Sequence, residues 1–99
     1  MINKGLKDDN DKLQYHLIPD GVLEPVIRVL MYGAKKYGAY NWMNVLDAKK
    51  RYINAIWRHF NLYKEGQEND IEIGISHLAC IICSCMFLLW FDLNRKKGK

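Results

Sequence analysis

The sequence predicts an all-α fold: a compact helical domain of three main helices with an extended N-terminal arm, built into an oligomeric helical bundle. Three observations predict it. Apolar residues recur at helical spacing over 22–31 and again over 52–63. A third stretch, from about Asp70 to Leu93, is apolar on nearly every side. Only two prolines and seven glycines interrupt 99 residues, which leaves room for long regular elements. A chain of this length forms one domain with a small core, and its 49% hydrophobic content excludes an intrinsically disordered segment.

Residues 1–19 are expected to form the arm, polar at first and then alternating at Leu13, Tyr15 and Leu17. The helical domain is expected over 20–93. Pro19-Asp20-Gly21 is turn chemistry, and Asp20 is the expected cap of a first helix with Val22, Leu23, Val26, Ile27, Leu30 and Met31 on one face. Pro25 falls in the first turn, where no amide hydrogen is needed, and Gly38 ends the helix behind Lys35 and Lys36, which suit its negative pole. A loop holding Tyr40, Asn41 and Trp42 follows. Asp47 is the expected cap of a second helix, whose apolar positions Tyr52, Ile53, Ile56, Trp57, Phe60 and Tyr63 run until Gly66. The polar connection 65–70 then leads into the third helix, read from Asp70 to about Leu93. Three helices of these lengths cannot cover the last one alone, so a dimer or tetramer of identical chains is expected.

The net charge of +4 comes from the basic tail, 94–99, with Arg95, Lys96, Lys97 and Lys99. Without it the chain is near neutral, and no nucleic-acid partner is expected. The three cysteines, Cys80, Cys83 and Cys85, sit in the apolar stretch with no second ligand pair at finger spacing and read as reduced core residues. Met1 to Asp11 lacks a signal-peptide core, so a cytoplasmic location is expected. Ile73 to Phe91 is nearly continuous in apolar residues and long enough for a membrane span, but Ser76, His77, Ser84 and several small residues within it favour buried packing.

On the second helix Arg51, Ala55, Arg58 and His59 share one stripe with a small residue between them, leaving space for a ligand. Asp70, Gly74 and His77 have the same relation at the start of the expected third helix. Antiparallel packing would bring His59, Glu65, Glu68, Asp70, Glu72 and His77 towards one flank. Carboxylates beside arginines suit a metal-bound phosphate ester: oxygen ligands from Glu65, Asp70 and Glu72 would hold Mg2+, or Mn2+, while Arg51 and Arg58 grip phosphate oxygens. The alternative for the acids is helix capping, and for the two histidines a place in the core. Trp42 and Asn41 form the candidate base-recognition pair, by stacking and amide hydrogen bonding, unless Trp42 is simply a core residue.

Lys12-Leu13-Gln14-Tyr15-His16-Leu17-Ile18-Pro19, the Gly33-Ala34-Lys35-Lys36-Tyr37-Gly38 run, Asn41-Trp42, Arg58-His59, Asp70-x-Glu72-x-Gly74 and His77-Leu78-Ala79 together resemble the N-terminal domain of the phage dATP/dGTP diphosphohydrolase family. The resemblance runs from about Lys7 to Phe91. It implies a domain similar to the all-α nucleoside triphosphate pyrophosphatases, which use carboxylate-held Mg2+ or Mn2+ to release diphosphate. It brings Lys12, Tyr15, Lys35 and Lys36 into the substrate-binding set with Asn41, Trp42, Arg51 and Arg58, and makes His59 and His77 the catalytic candidates. One departure stands out: no helix here contains the Glu-x-x-Glu or Glu-x-x-Asp pairs typical of those enzymes. The expectation is a purine nucleotide-handling protein that hydrolyses dATP or dGTP. Alternatives are a non-catalytic protein that sequesters a nucleotide signal to counter host defence, and a protein–protein inhibitor or adaptor.

Overall fold

The computed structural model describes residues 5–98, with side chains as far as Arg95. Residues 1–4 of the expected arm and Lys99 of the expected tail lie outside the described residues, as do the side chains of Lys96 and Lys97. The fold is all-α, with α1 at Leu23–Tyr37, α2 at Ala48–Lys64 and α3 at His77–Gly98. Short 3-10 turns occupy Tyr15–Leu17 and Asn41–Asn44. Among the described residues no β-strand forms; Asn69 and Ser76 make one isolated antiparallel bridge.

The start of α1 differs from expectation in one detail. Val22, not Asp20, stands at its N-cap position, and no side chain caps it; Gly21, at φ +83°, turns the chain between the two. Gly38 closes the other end, its N–H donating to Ala34 O at 2.8 Å with φ at +99°. Asp47 does sit at the mouth of α2, but in a left-handed conformation, and it serves through its carbonyl, which accepts the Arg51 N–H at 3.0 Å. At the far end the Gln67 N–H reaches Leu62 O and the Gly66 N–H reaches Tyr63 O. That paired closure uses up carbonyls the helix leaves open.

The largest difference lies at α3, which begins at His77 and not at Asp70. The Asp70 side chain takes the backbone out of the helix: its Oδ1 accepts the N–H groups of Glu72 and Ile73 at 2.8 and 3.2 Å. Its own N–H and C=O then bind Ile75 O and the Gly74 N–H, at 2.9 and 2.8 Å. A carboxylate that satisfies nearby amides competes with helix formation. The helix starts only where Ser76 Oγ accepts the Leu78 N–H at 3.0 Å.

α3 lies between the other two helices and packs against both. Val26 of α1 meets Ala79 and Cys83 of α3 in the core, with Val29, Leu30, Ile75 and Phe87 packed around them. Cys80 and Cys83 are buried free thiols, and the Cys83 thiol donates to Val26 O at 3.4 Å; Cys85, expected in the core with them, is instead exposed, because two residues along a helix turn its side chain away from the Cys83 face. The chain exposes 8405 Å2, whereas a compact folded chain of this size exposes about 5,900 Å2. Part of the excess is one stripe of α3: Leu78, Ile82, Met86, Leu89 and Leu93 recur every three or four residues and are each 40–57% exposed. By length and composition alone α3 could also cross a bilayer.

Candidate functional site

A wide groove of about 1180 Å3 opens between α1, the Asn41–Asn44 turn and α2. Gly38 and Tyr40, at φ +99° and +64°, reverse the chain after α1 and set Asn41 and Trp42 on the groove's floor. Trp42 is fixed there by its neighbours. It stacks on Phe87 at 4.7 Å between ring centroids, with the planes 12° apart. Trp90 and Phe91 meet it edge-on. The Tyr52 hydroxyl donates to Trp42 O at 3.3 Å. Trp42 is thus half-buried, packed on the aromatic side chains of α3 while forming part of the groove's floor. Arg51 and Arg58, two turns apart on α2, line the same groove.

Four of the residues expected to bind substrate therefore converge: Asn41, Trp42, Arg51 and Arg58. Four others do not. Lys12 and Tyr15 lie on the exposed arm, with Tyr15 71% exposed. Lys35 is exposed and does not line the groove. Lys36 is committed to Glu72 at 2.9 Å. Lys50, Tyr37 and Tyr40 also line the groove; the signal for Lys50 was its place beside Arg51, and for Tyr40 its place in the Trp42 loop.

A second cluster forms where the 65–76 loop folds back on α2 and α3. His77 is wholly buried, and its Nε2–H donates to Gln67 Oε1 at 2.7 Å. That bond leaves the His77 Nδ1 lone pair facing His59 Nδ1, 2.8 Å away. Asp70 Oδ2 lies 3.9 Å from the same His59 nitrogen. Burial lowers the pKa of His59, with His77 and Arg58 pushing the same way and Asp70 opposing them. His59 is therefore a neutral ring at physiological pH.

The carboxylates expected to hold Mg2+ are dispersed. Glu65 and Glu68 are exposed. Glu72 accepts hydrogen bonds from Lys36 and from the Tyr32 hydroxyl, at 2.9 and 2.7 Å, and Lys36, then Tyr32, holds its carboxyl below the usual range. Only Asp70 reaches the histidines. Mg2+ takes an oxygen shell in near-octahedral geometry, and one carboxylate beside two imidazoles does not fit it.

Fold and site together define a class: an all-α domain with a basic, aromatic-floored groove and, apart from it, a histidine pair, one ring buried and the other half-buried, with a carboxylate alongside. The family described as dATP/dGTP diphosphohydrolase, N-terminal, matches residues 2–99. The chain belongs to that family. It is 34% identical over 91 residues to a dATP/dGTP diphosphohydrolase of Salmonella phage PMBT28, an alignment covering 92% of this chain and 31% of the relative. The chain thus spans less than a third of that relative's length. No solved structure matches it.

Proposed function

We propose that this domain binds a purine deoxynucleoside triphosphate of the dATP/dGTP class in the groove between α1 and α2. The supporting observation is the convergence of Asn41, Trp42, Arg51 and Arg58 on one surface. Trp42 keeps one face occupied by Phe87 and offers the base a rigid aromatic wall. The Asn41 amide supplies a donor and an acceptor, which is what a purine edge presents in return. Arg51 and Arg58, with Lys50 beside them, take the phosphate oxygens.

Binding without hydrolysis is the reading we favour for this segment itself, because the carboxylates that would carry a metal-bound diphosphate are dispersed. The described residues bring no such carboxylate set together for phosphoanhydride cleavage. We also propose self-association through the exposed stripe of α3, and a cytoplasmic setting with no nucleic-acid partner.

Calorimetric titration with dATP, dGTP, dCTP and dTTP tests the reading. The two purine nucleotides are expected to bind at one per chain, and Arg58→Ala to weaken them by roughly 10- to 100-fold, the range for losing a charged hydrogen bond. Absence of binding across all four nucleotides overturns it. Diphosphate release from dATP or dGTP with Mg2+ or Mn2+ added, at high protein concentration, would restore the hydrolase reading for the isolated segment.

A further inference from the structure

We infer that His59, Asp70 and His77 form a binding site for a borderline first-row divalent cation such as Zn2+ or Co2+, outside the nucleotide groove. The three residues come from α2, the folded-back loop and the first residue of α3. One donor atom from each lies within 4.8 Å of the others.

Two of the three donor separations are close to what such an ion requires, and the third, between His77 and Asp70, lies within 4.8 Å. Zinc binds imidazole nitrogen and carboxylate oxygen at about 2.0–2.2 Å, so two donors on one tetrahedral ion stand about 3.3 Å apart. The His59 Nδ1 to His77 Nδ1 contact, at 2.8 Å, needs to open by about half an ångström. The His59 Nδ1 to Asp70 Oδ2 separation, at 3.9 Å, needs to close by about as much. The chemistry agrees: two nitrogens and one oxygen suit zinc, cobalt and their neighbours rather than Mg2+.

The surroundings resemble the support that metal-bound histidines receive. Gln67 accepts the far N–H of His77, which fixes the ring's tautomer and aims the Nδ1 lone pair inward. Asp70 is held by the two backbone N–H groups on its Oδ1, leaving Oδ2 turned to the histidines. Without an ion, the two Nδ1 atoms at 2.8 Å must share a proton, His59 Nδ1–H donating to His77. A cation takes that proton's place, and the His59 N–H moves to Nε2. His77 is wholly buried, but the His59 and Asp70 side chains keep 14% and 22% of their surface exposed. The site is therefore reachable from solvent past His59 and Asp70.

The test needs no nucleotide, so its outcome is independent of the groove's occupant. Metal-stripped protein is titrated with Zn2+ by calorimetry and with Co2+ by visible absorption. Expected are one ion per chain, visible Co2+ bands of a low-coordinate site, and a thermal midpoint that rises with Zn2+. Asp70→Asn keeps an oxygen for the loop amides and removes the anionic ligand; His59→Gln removes a nitrogen from a partly exposed position. Each is expected to weaken binding at least tenfold, and Gln67→Ala by roughly 10- to 100-fold. Circular dichroism confirms that each variant folds, and either one that does suffices. No one-to-one binding of Zn2+ or Co2+, or binding that survives both ligand substitutions undiminished, overturns the inference.

Discussion

Cys80 and Cys83 show how far burial silences a side chain. Burial pushes their thiols up to about 11 and about 12. At about pH 8 the reactive thiolate is then near one part in a thousand and one in ten thousand. Raising the pH increases these fractions tenfold per unit, so reactivity climbs only in strong alkali. Iodoacetamide followed by intact-mass analysis is expected to leave both unmodified in the folded chain at neutral pH and to label them after denaturation. Labelling of either in the folded protein would mean a looser core than Val26, Ala79 and Cys83 make here. The core role of Cys80 and Cys83 was legible from their setting in an apolar stretch, but the same setting misplaced Cys85, which is exposed. The partners of Glu72 were not legible: Lys36 and Tyr32 lie on α1, 36 and 40 residues from this loop position, and helical spacing says nothing about such pairs. The same limit dispersed the expected carboxylate set.

Among the elements, α1 and α2 follow the sequence closely because two signals agree, apolar period and glycine closure at Gly38 and Gly66. At α3 the signals conflicted. Asp70, Gly74 and His77 fit a helical stripe, yet Asp70 beside Asn69, with Gly74 and Ser76 to follow, is also turn chemistry, and the turn won. Gly74 adopts φ +72°, which a helix interior would not use. The histidine and aspartate still meet, through a folded loop instead of a shared face. Since Ser76 Oγ is the side-chain cap of α3, Ser76→Ala is expected to cost about 1 kcal/mol. Urea denaturation checks it: the midpoint should fall with an unchanged slope. A gain in stability would show that the cap is dispensable.

For the molecule as a whole, excess exposed surface supports a partner copy of the chain. The stripe Leu78, Ile82, Met86, Leu89 and Leu93 runs the length of α3, and covering it gains roughly 25 cal/mol for each Å2 removed from water. Light scattering during gel filtration is expected to give a multiple of the monomer mass, and Leu89→Glu to return it towards one chain. A wild-type monomer in dilute buffer would discount self-association. The stripe was visible in the sequence as an over-apolar helix. Which of its sides faces outward was not, because that depends on where α1 and α2 dock.

Both outer helices rest on α3, and the groove lies between them. Its walls are thus two levers on a common spine, joined at one end by the short Gly38–Asp47 connection. Tyr52 of α2 meets the Phe87 ring, and Phe87 also packs against the core cluster that holds Val26 of α1. A ligand that touches Tyr37 on one side and Arg58 on the other would add a crossbar between two walls otherwise related through α3.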